Sequence, residues 1–572
     1  MPNSEAPVGG KTDRVVDVVV IGSGAGGLST AITAKKNGLD VVVLEKEPVF
    51  GGTTAFSGGV LWIPGNHLAK AAGHRDSKDA ARTYIKGEAG NGFDEEAVEA
   101  FLDAGPEMLS FFERETAVKC VLSLYPDYHP DAEGGVEIGR SVTAAPFDIS
   151  ALGRDMARLR PPLESITFMG MMFNSSNAEL KHFFNATKSL TSFLYVAKRL
   201  TLHFLDVLRH GKGVKVTSGN ALAARLAKSA LDLGIEIRTE TTVKSLSHDG
   251  AGAVSGVALA DGTRITARRG VVLACGGFSH DKARLATFYP HLRRGGEHLS
   301  PVPSANTGDG LALAEAEGAK VEPRFVSASA WMPTSAIPRP ASKGGPLAFP
   351  HLVDRYKPGV IAVAPNGRRF VNESLSYHDV GEAMITACEG ETATEAWLIC
   401  DHATIRKYGL GFVKPAPVPM GSYLKSGYLR KGASLADLAR EIGVDAKALT
   451  ETVTAFNGPA ARGEDPAFHR GSTAFNRYLG DPLHRPNPCV APIQKAPFYA
   501  VRMVLGDLGT FDGLRTTIQG QVLRGDGTAV PGLFAVGNDR ASIMGGAYPG
   551  AGITLGPIMT FGYITGRHLA GS

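Results

Sequence analysis

The stretch VVDVVVIGSGAGGLSTAITAKKNGLDVVVLE, residues 15–45, decides the architecture. Residues 15–21 are a short β-branched run of the kind that forms a buried parallel strand. Gly22-Ser23-Gly24-Ala25-Gly26-Gly27 comes next, residues 28–37 read as a helix ended by Gly38, and residues 39–44 form a second strand closing on Glu45. A lone GxGxxG carries little weight; here it sits between strand and helix, with an acid 23 positions after Gly22. Gly22 allows the tight turn, Gly24 lets a pyrophosphate approach the backbone, and Gly27 permits close helix–strand packing. The N–H groups at Ala25 and Gly26 open the helix and meet the phosphates. Glu45 accepts hydrogen bonds from ribose hydroxyls, with Lys46 beside it. An ordinary glycine-rich turn is the bland alternative. The pattern reads as an α/β, Rossmann-like dinucleotide site.

The residues after Glu45 favour FAD over NAD. A second glycine loop runs from Gly51 through Gly52, Thr53 and Thr54 to Ser57, Gly58 and Gly59, too far from the first to share its turn. It suits the remainder of a long flavin cofactor. Residues 269–278 form a strand ending in Gly276 and Gly277, and residues 532–538 form another ending in Gly537 and Asn538. The cofactor domain is therefore discontinuous. A last helix is predicted to start between Thr554 and Pro557 and to run to Leu569, with Leu555 and Pro557 in its first turn. Its N-terminus, aimed at the pyrimidine edge of a flavin, stabilises negative charge there.

Three segments result: residues 12–297 as the first part of the cofactor domain, residues 298–492 as an inserted α+β substrate domain, and residues 493–572 as the C-terminal part of the cofactor domain. A helical insertion at about 165–212 interrupts the first part. It is rich in aromatic and methionine residues, among them Phe168, Met169, Met171, Met172, Phe193 and Tyr195. Its plain reading is a core or inter-domain helix; a pocket wall or a membrane-interface helix is the alternative.

Composition excludes several function classes. With 572 residues, 43% hydrophobic and 20% charged, the chain is not disordered. Its 60 Lys and Arg against 56 Asp and Glu show no basic stripe, so no nucleic-acid partner is expected. Five scattered cysteines (Cys120, Cys275, Cys388, Cys400, Cys489) offer neither a disulfide framework nor a metal site. A reducing cytoplasmic location is expected, with the inner face of the membrane as the place of any peripheral contact. No run approaches the roughly 20 apolar residues of a spanning helix.

The sequence resembles the flavoprotein family of fumarate reductases and 3-ketosteroid dehydrogenases, and within it the 3-ketosteroid Δ1-dehydrogenase branch. The stretches at 51–64 (GGTTAFSGGVLWIP), 125–135 (YPDYHPDAEGG), 358–379, 506–516 (GDLGTFDGLRT) and 546–563 (GAYPGAGITLGPIMTFGY) carry the resemblance. It implies oxidation of a cyclic ketone, such as a 3-oxosteroid, to the α,β-unsaturated ketone, with electrons leaving to an external acceptor other than nicotinamide, such as a quinone. Three tyrosines carry the family's chemistry, matched here to Tyr548, Tyr377 and Tyr128, with Tyr125 three residues from the last. Gly552 matches the glycine whose N–H assists at the carbonyl. The histidine that tethers FAD in some related reductases has no counterpart at 51–55, which implies noncovalent FAD.

These residue types make chemical sense on their own. A ketone's α-hydrogen is hard to remove until charge on the oxygen is stabilised, and a phenol O–H with a backbone N–H forms such a pair. The α-proton then needs a base, for which Tyr377 is the candidate and Tyr128 its hydrogen-bonded helper. Smaller cyclic ketones, such as cyclohexanone or 4-oxocyclohexanecarboxylate, are alternative substrates. Reduction of a small unsaturated acid is a further alternative, and needs an arginine clamp from Arg368, Arg369, Arg515 or Arg540.

Overall fold

The computed structural model describes residues 14–167, 170–172, 182–183 and 189–572. The first strand, Arg14–Ile21, lies inside an eight-stranded sheet whose main path runs Gln521–Leu523, Ala529–Ala535, Arg264–Leu273, Arg14–Ile21, Val41–Leu44, Glu236–Arg238. Val18, Val19 and Val20 are fully buried. Alternate residues of a strand point to opposite faces, so a continuous valine run means both faces are covered. Each such valine contributes about 1.5–3 kcal/mol of burial. The antiparallel hairpin Val243–His248 and Val254–Leu259 joins the sheet at the first half of Arg264–Leu273.

Register fixes where a ligand can lie. Ile21 pairs with Leu44 and Leu273, Leu273 with Ala535, and Leu44 with Arg238, all in parallel. Four strand ends therefore bring Gly22, Glu45, Gly276 and Gly537 to one carboxyl edge, the edge at which open α/β sheets bind ligands.

Two helices pack beside this edge. Ala25–Lys36 begins with N-cap Gly24, and Leu555–Ala570 is the last helix. A Cβ on Gly562 would lie 2.1 Å from Ser29 Oγ, and one on Gly566 would lie 2.7 Å from Thr33 Cβ. A Cβ on Gly26 would lie 3.3 Å from Ile558 Cγ2. The pairs 26 with 558, 29 with 562 and 33 with 566 ascend together, so the two helices run parallel in close contact.

The inserted part is built on a six-stranded antiparallel sheet. Its path is Leu347–Pro350, Ser329–Ile337, Phe498–Thr510, Glu395–Asp401, Val360–Val363, with Arg430–Gly432 also on Phe498–Thr510. The boundary expected at 492/493 falls just before the long central strand Phe498–Thr510, which pairs with this sheet as far as Thr510 with Ser329. Gly506 marks a close approach on this strand, since a Cβ there would lie 2.3 Å from Leu299 O. The chain rejoins the first sheet at Gln521–Leu523.

The helix Leu190–His210 departs from the core reading. It buries Ser192 and His203, while Leu190, Leu194, Phe204, Leu205 and Leu208 are exposed, Leu208 by 84%. Spacings of four, fourteen, fifteen and eighteen from Leu190 put these on one face, with the buried residues on the opposite side. Phe168 and Met169 lie outside the described residues. Among the described residues no helix is long and apolar enough to cross a membrane.

Candidate active site

A continuous cavity of about 550 Å³ opens at the carboxyl edge and reaches into the inserted part. It is lined by Gly22, Gly24, Ala25, Gly26, Glu45, Lys46, Gly52, Thr53, Thr54, Ser57, Gly58, Gly59, Gly276, Gly537, Asn538, Gly552, Thr554 and Leu555. Gly27 and Gly277 lie behind this lining. A Cβ on Gly27 would fall 2.0 Å from Gly22 O, so this glycine serves helix–strand packing. A Cβ on Gly22, which has φ +110°, would fall 2.1 Å from Ala274 O. Gly24 differs: its Cβ would meet only Thr54 Oγ1, at 3.7 Å, leaving backbone open to the cavity. That is the space a pyrophosphate needs, and the cradle fits FAD.

The carboxylates of this end are held in place. Glu45 Oε2 accepts from Ser23 Oγ at 2.5 Å and Oε1 from Glu47 N at 3.0 Å. Thr54 Oγ1 accepts from Ala25 N at 3.0 Å, joining the two glycine loops. Lys46 Nζ is engaged by Asp309 at 2.6 Å and Thr307 at 2.8 Å. Asn306 Nδ2 donates to Thr53 Oγ1 and Gly276 O at 3.0 and 2.9 Å. Asp539 accepts from Cys275 N at 2.6 Å and Gly277 N at 2.9 Å, clasping two strand ends together. Sequence reasoning missed Ser23, Asn306 and Asp539; only the acid directly after Gly537-Asn538 gave a signal.

At the other end three tyrosines meet. Tyr128 and Tyr548 stack at 5.6 Å between centroids, Tyr377 stands edge-on to Tyr548 at 5.0 Å, and Tyr128 Oη lies 3.4 Å from Tyr377 Oη. All three are nearly buried and line the cavity. Tyr125 is not part of this group; its ring packs on Tyr478 at 4.5 Å. Tyr377 is the first residue of the helix Tyr377–Ala387, set by a capping box of Ser376 and Asp379. Burial and the two neighbouring phenols push its pKa well up. The positive end of its helix works in the other direction. Burial also raises Tyr548, against hydrogen bonds from Tyr377 and Thr554.

Gly552 lies on the loop between Tyr548 and the last helix with φ +96°. A Cβ there would fall 2.6 Å from Trp62 N, so only glycine fits. Its carbonyl accepts from Trp62 N at 3.0 Å, and its N–H donates to no described backbone acceptor.

Three groups of contacts, none read from sequence, hold the tyrosines in register. Tyr128 N donates to Pro549 O at 2.8 Å, and Tyr84 Oη to the same carbonyl at 2.6 Å. His129 bridges Glu88 at 2.8 Å and Asp379 at 3.2 Å. Asp127, held by Arg140 at 2.8 Å and Trp62 Nε1 at 2.8 Å, anchors the start of the loop. Burial lifts the Asp127 pKa to about 6 against those partners.

The arginines considered for a dicarboxylate clamp are elsewhere. Arg369 is paired with Glu373 and Asp465, Arg368 is on the surface beside Glu451, and Arg515 is exposed. Arg540 stacks on Phe561 in a separate small pocket.

A family model for the FAD binding domain matches residues 17–555. The chain is 42% identical over 558 residues to a 4-oxocyclohex-2-ene-1-carboxylate 5-dehydrogenase of Sinomonas cyclohexanicum, covering 97% of this chain and 93% of that one. It is 38% identical over 573 residues to a 3-oxosteroid 1-dehydrogenase of Mycobacterium tuberculosis, covering 98% and 99%. Among solved structures it is similar to the 3-ketosteroid Δ1-dehydrogenase of Sterolibacterium denitrificans in complex with 1,4-androstadiene-3,17-dione, with a TM-score of 0.89, 34% identity, and coverage of 98% and 100%. The likeness thus extends along almost the whole of a chain that carries a glycine cradle and a cavity running from it to buried tyrosines. This protein belongs to the FAD-binding flavoprotein family of 3-oxosteroid dehydrogenases and fumarate reductases, and is an FAD-dependent oxidoreductase that holds its cofactor noncovalently.

Proposed function

We propose that this protein desaturates a small cyclic ketone, of the cyclohexanone or 4-oxocyclohexanecarboxylate kind, to the α,β-unsaturated ketone. The observation that carries the reading is the buried trio Tyr128, Tyr377 and Tyr548 beside Gly552 on one cavity with the glycine cradle. Identity to the oxocyclohexene carboxylate dehydrogenase exceeds that to the 3-oxosteroid enzyme, 42% against 38%, which favours the smaller ring. Oxidation of a 3-oxosteroid is the second reading, favoured by the likeness to the solved steroid enzyme.

In this reading Tyr548 Oη and the Gly552 N–H donate to the ketone oxygen and stabilise charge growing there. Tyr377 removes the α-proton, and Tyr128 hydrogen-bonds Tyr377 so that the proton has a place to go. FAD, held by the glycine cradle with Glu45 at its ribose end, would supply the two-electron acceptor for the β-hydrogen. Burial of the trio excludes water from the site of the growing charge. An external acceptor other than nicotinamide, of the quinone class, completes turnover. Reduction of an unsaturated acid is disfavoured, because Arg369 is neutralised by two carboxylates and Arg368 and Arg515 face solvent.

Anaerobic mixing of the oxidised protein with 4-oxocyclohexanecarboxylate, cyclohexanone and 4-androstene-3,17-dione tests this. Bleaching of the flavin absorbance by the small ketones, with the higher specificity constant for them, supports the proposal. Bleaching by the steroid alone moves the assignment to the second reading. No bleaching by any ketone, with turnover of fumarate by the reduced protein, overturns both.

We also infer a cytoplasmic protein whose helix Leu190–His210 lies on the inner face of the membrane. Its apolar stripe points away from the protein, and the exposed Lys198, Arg209 and Lys215 accompany it. Such a face buries a few ångströms into a headgroup layer, and the cations favour anionic lipid. Sedimentation with phosphatidylglycerol vesicles should carry the protein down, and Leu205→Glu with Leu208→Glu should release it without loss of flavin. Equal recovery in the supernatant with and without vesicles would overturn the inference.

A further inference from the structure

Beyond the glycine cradle the cavity wall is mostly aromatic and aliphatic, yet two lysines are among its lining residues, Lys357 and Lys414. Lys414 Nζ lies 5.0 Å from the Phe412 ring centroid and pairs with no carboxylate among the described residues. Burial alone pushes its pKa down. Lys357 Nζ donates to Leu479 O at 2.6 Å and Gly480 O at 3.1 Å. An ammonium has three donors, so one remains. Burial lowers the Lys357 pKa to about 8.

One short helix relates Lys357 to the tyrosines. Phe475, in Ala474–Tyr478, packs 4.4 Å from the Tyr128 ring, and Leu479 lies one turn later. Lys357 thus bonds the carbonyl at the C-terminal end of the short helix whose Phe475 touches Tyr128. The carboxylate on the same wall, Asp354, is already engaged. Its Oδ2 accepts from His351 Nδ1 at 2.7 Å and Gly411 N at 2.8 Å.

Two cations on an apolar wall are costly to desolvate unless an anion meets them. A neutral diketone brings none. A cyclic ketone with a carboxylate across the ring brings one, several ångströms from the carbonyl.

We propose that Lys357 and Lys414 form a carboxylate-binding subsite in the substrate cavity, so that the substrate is an oxo acid held at both ends. Its ketone oxygen lies toward Tyr548 and Gly552, and its carboxylate toward the two lysines. The proposal rests on the reading of ketone oxidation at the tyrosines and adds the charge of the substrate to it. The pair would act as specificity-determining residues, touching the substrate away from the reacting carbon atoms.

The test compares 4-oxocyclohexanecarboxylate with its neutral methyl ester, using FAD-loaded protein and an artificial acceptor. Lys414→Met, and Lys357→Met with Lys414→Met, should raise KM for the acid about ten- to a hundredfold, the range of a lost hydrogen bond to a charged group. KM for the ester should stay within twofold, and kcat for both should hold. Lys414→Arg should recover most of the preference for the acid. If Lys357→Met unfolds the short helix it caps, Lys414→Met alone carries the test. A second readout needs no turnover: cyclohexanecarboxylate, which has no ketone, should perturb the flavin spectrum of the wild type and not that of Lys414→Met. An acid KM within twofold of wild type in the variants, with an unchanged cyclohexanecarboxylate titration, overturns the subsite. Failure of every ketone to reduce the flavin overturns the reaction instead, and the cyclohexanecarboxylate titration still decides the subsite.

Discussion

His129 Nε2 sits 3.2 Å from Asp379 Oδ2, across 250 residues of chain. Each partner is within two positions of a site tyrosine: His129 is next to Tyr128, and Asp379 is two after Tyr377. Asp379 also closes the capping box that starts the Tyr377 helix. One ion pair therefore ties the Tyr128 loop to the first turn of the helix that presents Tyr377. The hydroxyls of the two tyrosines it connects lie 3.4 Å apart.

The tie has a pH dependence with a definite sign. Burial alone would lower the His129 pKa, but hydrogen bonds and charge from Asp379 and Glu88 prevail and lift it from 6.5 to about 10. A base with a raised folded pKa contributes its full stability below about pH 6.5 and loses it as pH climbs through about 10. Thermal unfolding midpoints of the wild type should fall over that window more steeply than those of His129→Gln. Parallel slopes would show that the ion pair contributes nothing to the fold. Because His129 is partly exposed, the effect should be modest.

Tyr548→Phe should lower kcat/KM by about 10²–10³, the usual loss for one oxyanion-type donor. Tyr377→Phe should lower it by about 10²–10⁴. Both should bind FAD as the wild type does, seen by heat release of the flavin. Loss of α-deuterium from bound ketone should stop in Tyr377→Phe. Near-normal exchange in a folded, flavin-loaded Tyr377→Phe would remove it as the base.

Because burial raises the Tyr377 pKa, its ionised fraction is small at neutral pH, and kcat/KM should rise with pH through the neutral range. Tyr128→Phe removes the 3.4 Å hydroxyl contact and should shift that alkaline limb with a smaller loss of rate. A pH profile that superimposes on the wild type would exclude Tyr128 from the proton path.

Gly24 and Gly27 of the first loop should fail differently. Gly27→Ala places a Cβ 2.0 Å from backbone and should yield little folded protein. Gly24→Val meets no backbone in the chain, and should give folded apoprotein with weakened FAD affinity. Far-ultraviolet circular dichroism with FAD titration separates them; tight FAD binding by Gly24→Val would place the pyrophosphate elsewhere.

How much of the molecule is legible in the sequence depends on how local each cause is. Valines 18–20 report burial on both strand faces by themselves, and Gly22 and Gly27 are demanded by neighbours close to the first strand. The tyrosine trio is assembled from residues 128, 377 and 548, and no spacing announces it; the resemblance, not periodicity, pointed there. Asn306 is a single polar residue in a turn whose partners lie across the fold, so no pattern marks it, and Asp539 is marked only by its place directly after Gly537-Asn538. The stripe on Leu190–His210 is visible as spacing, but which side it faces is set by packing elsewhere.

The parallel packing of Ala25–Lys36 on Leu555–Ala570 sets like partial charges against each other. Side by side and pointing the same way, the two helices repel at both ends, with their positive termini adjacent near Gly26 and Ile558. Glycine contacts at Gly562 and Gly566 bring the axes close and sharpen the repulsion. An anionic cofactor at those termini would act as the counter-ion of the fold itself. Apoprotein should therefore open first along this helix pair, with amide protons there exchanging faster while the inserted antiparallel sheet stays protected. Any shortage of flavin in the cell then shortens the lifetime of the chain.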